Sequence, residues 1–134
     1  MRNIKNFIEG HRLSGCPGSY RRGVVFNENG KICRMFINFT TSKMDKHNPN
    51  FSKIFYAGRG KKDQEKYFVE DTTNNKENLK MMKNTTEFPI YVKMENGYFD
   101  LGLFKIKKIE KINQLNPSSG KSFSTIGFNC EKVI

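Results

Sequence analysis

The sequence predicts an α+β domain that is mainly β: a small, strongly curved sheet or barrel of about five to seven strands with one main helix. Three observations carry this. Short apolar segments recur at strand period, separated by Asn-Gly and Asn/Gly/Pro turns. One stretch, Asn74 to Lys83, joins a helix-start residue to apolar positions on one face. The apolar supply is aromatic, with 12 Phe, 5 Tyr and no Trp in 134 residues, which suits a compact core.

Taken in order, Met1 to Ile8 reads as a short helix or strand, and His11 to Arg22 as a basic Gly/Pro/Ser loop. Gly23 to Phe26 and Lys31 to Phe39 form a hairpin around the Asn27-Glu28-Asn29-Gly30 turn. Thr40 to Ser52 is a polar loop long enough to suggest function. Lys53 to Tyr56 is a strand that stops at Gly58-Arg59-Gly60, and a charged stretch follows. The helix ends near Lys83, with Leu79, Met81 and Met82 expected to pack. Phe88 to Met94 is a strand placed at an edge or start by Pro89. Tyr98 begins another, in which Gly102 suggests a bend; the part running to Ile112 reads as strand or helix. Ser122 to Ile134 closes the chain as one or two strands. No repeat or linker divides residues 1–134, so one domain is expected, with room left for its being the N-terminal module of a larger enzyme or system.

Twenty-four basic against thirteen acidic side chains give a net charge of +11. That imbalance implies an anionic partner, nucleic acid before membrane, since no basic amphipathic helix is evident. No run approaches the ~18 apolar residues of a spanning helix, and Met1 to Gly10 lacks a signal-peptide pattern. Cys16, Cys33 and Cys130 are odd in number and lack metal-ligand spacing. Reduced thiols in a cytoplasmic protein without metal or cofactor are the expectation. No nucleophile triad, zincin, phosphate-loop or EF-hand pattern is present. Asp63, Glu65 and Asp100 are the acids from which a small Mg²⁺-dependent nuclease would have to be built.

Several segments, in order, resemble the SET- and RING-associated (SRA) domain in its bacterial modification-dependent restriction form. They are Asp45 in a polar loop; Phe55-Tyr56-Ala57-Gly58-Arg59-Gly60; Gln64; Asn75 to Leu79; Pro89-Ile90-Tyr91-Val92; and Tyr98 to Ile106. The resemblance implies a PUA-like β-barrel that flips a modified base, 5-methylcytosine or a 5-hydroxymethylcytosine-type derivative, out of duplex DNA. Tyr56 would be the stacking platform, and Phe51 or Phe36 the second wall, in place of the Tyr that the family's loop usually supplies. Asp45 would accept from the cytosine amino group, with His47 and Asn48 as alternatives, and Ala57 would offer its carbonyl. Arg59, Lys61 and Lys62 would hold phosphates beside the extruded nucleotide, and Arg21, Arg22 and Arg12 the other flank. On this reading there is no catalytic residue in the chain, and cleavage falls to a nuclease domain or subunit. A PUA-like RNA-binding domain and the small nuclease remain the other readings.

Overall fold

The computed structural model describes residues 1–58, 76–115, 120 and 122–133. Its elements are β1 (Arg2–Ile4), α1 (Phe7–Ser14), β2 (Val24–Phe26), β3 (Ile32–Asn38), β4 (Lys46–His47), β5 (Lys53–Ala57), α2 (Lys76–Lys83), β6 (Phe88–Met94), β7 (Gly97–Leu115) and β8 (Ser122–Lys132). The strands form one sheet in the order β2-β3-β6-β7-β8-β5-β4, with β1 added alongside β7. All pairings are antiparallel except β3 with β6. The mainly-β architecture is the one the sequence predicts, with two helices and eight strands among the described residues.

The additions have local causes. Helix α1 occupies part of the expected basic loop. Asn6 caps it by accepting from the Glu9 N–H, and Gly15 ends it in the left-handed region at φ 67°. The polar loop after β3 contains β4, where Lys46 pairs with Phe55 and His47 with Ile54. The run from Tyr98 stays a strand throughout. Gly102, at φ 91°, lies within the β6-paired part of β7, where the register with β6 shifts between Pro89 and Tyr91.

Strand alternation sends two sets of side chains to two clusters. The main core gathers Met35 and Ile37 of β3, Ile54 and Tyr56 of β5, Phe88, Ile90 and Val92 of β6, Leu101 and Phe104 of β7, and Phe128 of β8. Phe88 and Phe104 are cross-strand partners, and both are fully buried. Each such ring contributes roughly 1.5–3 kcal/mol by leaving water. A second cluster, on the other side of β3, holds Ile4, Phe36 and Tyr91, with Phe7 and Tyr98 against it.

Helix α2 turns Met81 inward as expected, and Asn78 with it, whereas Met82 is exposed and does not pack. Asn78 lies against the end of β5. A Cβ on Gly58 would sit 2.7 Å from its Oδ1 and 2.8 Å from the Ile126 carbonyl oxygen. Gly58 is thus a glycine because helix, β5 and β8 converge on its Cα. Gly127 is one because the Phe55 ring lies over it.

Cys16 and Cys33 form a disulfide, which overturns the expectation of reduced thiols. It ties the segment after α1 to β3. Cys130 stays free and buried, and burial pushes its thiol up to about 12. No described helix is long and apolar enough to cross a membrane.

Candidate nucleic-acid interface

Strand β5 alternates so that Ile54 and Tyr56 point into the main core while Phe55 points away. Beyond Lys46–Phe55 its partner strand ends. Asp45 then replaces that strand: its Oδ1 accepts from the Ala57 N–H at 2.8 Å, where a longer β4 would have offered a carbonyl. Its Oδ2 accepts from Ser42 Oγ at 2.7 Å, and Ser42 Oγ accepts from the Asp45 N–H at 3.1 Å. Burial raises the carboxyl above the ordinary carboxylate range, against the opposing pull of the Ser42 and Ala57 hydrogen bonds. An ionised carboxylate has about four acceptor sites. The two bonds to Asp45 therefore leave capacity for a further donor.

Two residues on, aromatic side chains gather around His47. His47 stacks on Phe51 with ring centroids 4.2 Å apart, and Phe39 meets the His47 edge at 4.7 Å. Phe51 holds a left-handed backbone at φ 58°, uncommon for a bulky residue, and packs with Phe39 against the cluster containing Tyr56. Tyr56 is buried, and its hydroxyl reaches toward Gly23, where a Cβ would lie 3.9 Å from it. Asp45 is thus tied to the backbone directly after Tyr56, and Phe51 packs on the core cluster that contains Tyr56. Phe39 and His47 have no role assigned from sequence beyond His47 as an alternative to Asp45.

Phe36 is elsewhere. On β3 it has the parity opposite to Met35 and Ile37, so it faces the second cluster and is not a wall across from Tyr56. One face of its ring stacks on Phe7 at 4.4 Å, and the Arg34 guanidinium covers it at 3.5 Å.

Arg34 is a residue that sequence reasoning passed over. It is fully buried, and its guanidinium forms a clamp. Nε donates to His11 Nδ1 at 3.1 Å, Nη1 to the carbonyls of Arg22 (2.5 Å) and Gly23 (3.3 Å), and Nη2 to the Ser19 carbonyl at 3.2 Å. Since His11 Nδ1 accepts, Nε2 carries the proton and donates to the Gly18 carbonyl at 3.0 Å. Burial lowers Arg34 to about 10, partly offset by Tyr91, so it stays cationic at neutral pH. The clamp fixes residues 18–23, which carry Arg21 and Arg22. Arg21 is exposed over the Tyr20 ring at 5.5 Å. Arg12 is apart from them on α1, paired with Glu9 at 3.7 Å. Arg59, Lys61 and Lys62 lie outside the described residues, as do Asp63 and Glu65. Asp100 is engaged by Arg2 at 2.7 Å and by the Gly102 N–H at 2.9 Å. No group of metal-ligating side chains occurs among the described residues.

No family model and no curated protein matches the chain by sequence. Its structure does have counterparts. The crystal structure of the SUVH5 SRA domain in complex with hemi-methylated CG DNA superposes with a TM-score of 0.66 over 99% of this chain and 89% of that one, at 14% identity. The chain has the SRA fold. The DNA modification-dependent restriction endonuclease AspBHI matches with a TM-score of 0.64 over 90% of this chain and 64% of that one, at 10% identity. The Type IV phosphorothioation-dependent restriction endonuclease ScoMcrA matches at 0.65 and 16% identity, over 98% of this chain and 25% of that enzyme. The chain thus spans about nine-tenths of the SUVH5 SRA chain and a quarter of the length of ScoMcrA.

Proposed function

We propose that this SRA-like chain is a DNA-binding module that reads a modified cytosine, 5-methylcytosine or a 5-hydroxymethylcytosine-type derivative, by flipping it out of the duplex. The observation that carries the reading is the placement of a half-buried carboxylate, Asp45, on the Ala57 N–H directly after Tyr56. A carboxylate accepts from the cytosine amino group, and an adjacent ring supplies a stacking face. Flipping costs a few kcal/mol of stacking and pairing. Stacking on Tyr56, with Phe51 as the second wall, would offset part of that cost. The Ala57 carbonyl would contact the base edge.

The net charge of +11 supplies the non-specific affinity. Arg59, Lys61, Lys62, Arg21, Arg22 and Arg12 are the proposed phosphate contacts. The solved SRA neighbours were crystallised with methylated and hydroxymethylated CG DNA. On this basis the module is the reader of a modification-dependent restriction system, working on double-stranded DNA in the cytoplasm. Cutting would come from a separate nuclease domain or subunit. In that compartment the Cys16–Cys33 bridge is exposed to thiol reductants, and the Arg34 clamp holds the same segment independently of it.

The test is binding discrimination in Asp45→Asn and Tyr56→Leu. Each should bring modified and unmodified duplexes to within about twofold of each other while keeping most of the non-specific affinity. Undiminished preference in both variants would remove the pocket from the account.

A further inference from the structure

Phe36, Arg21 and Arg22 converge away from the Asp45 region. They line a cleft of about 460 Å³ with Phe7, Tyr20 and Tyr98, between the start of α1, β3 and the start of β7. We propose that this cleft is a second nucleotide subsite, taking one unpaired nucleobase together with its phosphate.

Its chemistry points to that occupant. The walls are aromatic, and two arginines stand on one side. No carboxylate is among its described lining residues. The Lys93 ammonium, outside the lining, lies 5.5 Å from the Tyr98 ring centroid. An apolar peptide would leave these cations unanswered, and an acidic peptide would leave the rings without a flat partner. A nucleotide satisfies both, with its base against Tyr20 and Tyr98 and its phosphate on Arg21 and Arg22. The volume falls in the roughly 300–1,000 Å³ range of small-ligand sites.

The cleft is also held in shape before any ligand arrives. The Phe7–Phe36 stack forms its floor, and Arg34 behind Phe36 clamps the Arg22 and Gly23 backbone. Tyr20 remains 38% exposed, so its ring is accessible. Gly23 is the partition between the two sites: a Cβ there would meet the Phe36 carbonyl oxygen at 3.7 Å and the Tyr56 hydroxyl at 3.9 Å. Two nucleotides of one bound strand, or one from each strand, could thus be held on either side of the same backbone segment. The proposal does not depend on Tyr56 or Asp45 acting as a base pocket.

The chain has no Trp, so Tyr98→Trp introduces a single fluorescent reporter in the cleft. Titration of that variant with dAMP should quench it saturably. Inorganic phosphate and deoxyadenosine, each lacking half of the ligand, should bind at least about tenfold more weakly. Adding Arg21→Ala and Arg22→Ala should weaken dAMP by about tenfold or more. Amide shifts in the unsubstituted chain, followed by NMR, should centre on Phe7, Tyr20 to Gly23 and Tyr98. Non-saturable quenching, shifts confined to Asp45 to Ala57, unchanged dAMP affinity in the double arginine variant, or equal binding of a poly-glutamate peptide would each overturn the proposal. Intact dAMP binding with no preference for modified duplexes would sink the modified-base reading and leave this one standing.

Discussion

Replacing Arg34 by methionine should cost the fold about 3 kcal/mol and loosen the segment that carries Arg21 and Arg22. Methionine approximates the volume of the arginine stem and keeps an apolar contact with Phe36, so little of the effect comes from packing. What is lost is the donor fork. The carbonyls of Ser19, Arg22 and Gly23 and the His11 Nδ1 would each lose a hydrogen bond from a charged group. Such bonds are worth roughly 1.5–3 kcal/mol each when buried and less where water can replace them. Relief from burying a guanidinium, the same desolvation that lowers Arg34 to about 10, offsets part of the loss. A net cost of about 3 kcal/mol lowers the Tm by about 10 °C at this chain length. Thermal unfolding followed by circular dichroism measures it. Amide hydrogen exchange at Tyr20 to Gly23 should accelerate well before global unfolding. Arg34→Lys, which keeps the charge but cannot span all four acceptors, should fall between the two proteins. A methionine variant as stable as the parent, with unchanged exchange at Tyr20 to Gly23, would refute the clamp.

Other consequences follow from the same structure. Gly58→Ala forces a Cβ within 2.8 Å of the Ile126 carbonyl oxygen, and the Gly58 N–H···O bond to that same oxygen, at 2.7 Å, keeps the backbone from retreating. It should destabilise by about 2–3 kcal/mol, read as a lower urea midpoint at constant m; a loss under about 0.5 kcal/mol would contradict the convergence at that position. Asp45 has a raised carboxyl, so the folded state favours its protonated form. Its ionisation therefore costs stability at neutral pH, and that cost is relieved as pH falls through the folded value toward the unfolded one near 3.8. Preference for modified DNA should drop in that same window, above the pH at which ordinary carboxylates protonate, and Asp45→Asn should abolish the step in an anisotropy series across pH. Cys16→Ser opens the bridge across 17 residues and should cost about 3 kcal/mol by the chain-entropy relation, measured as a Tm difference under non-reducing conditions that vanishes when both proteins are reduced.

Much of the frame is written in local pattern. The β2–β3 hairpin is visible from Asn27 to Gly30, and β5 and β8 from short apolar runs. Helix α1 is obscured because its sequence, FIEGHRLS, contains a glycine and four polar or charged residues. Its signals are the Asn6 cap and Gly15, which look the same in a loop. β4 is two residues long and exists because β5 offers it an edge, which no window of sequence registers. On α2, Met81 and Met82 are equally apolar in sequence, and only the fold shows that Met81 packs and Met82 does not. Among three cysteines no pairing follows from spacing, so the bridge was not legible.

The site divides in the same way. That Asp45 and Tyr56 come together was suggested by the family resemblance. Its physical cause, a carboxylate immediately before β4 that takes up the Ala57 N–H, is tertiary. Phe36 was recognisable as an available aromatic, yet strand parity sends it to the opposite cluster from Tyr56. Arg34 looks like a solvated strand residue in sequence. Its partners are loop carbonyls, which carry no side-chain signature at all.

The central claim is tested most directly by fluorescence anisotropy at fixed salt. The panel would compare one duplex carrying cytosine, 5-methylcytosine or 5-hydroxymethylcytosine at a single position, and the matched RNA. Binding should be about tenfold tighter to at least one modified duplex than to its unmodified counterpart, the scale expected for a shaped pocket reading one small substituent. Both affinities should fall in parallel with salt, since the phosphate contacts are shared. Equal affinity for all three duplexes, or tighter binding to the RNA, would contradict the account.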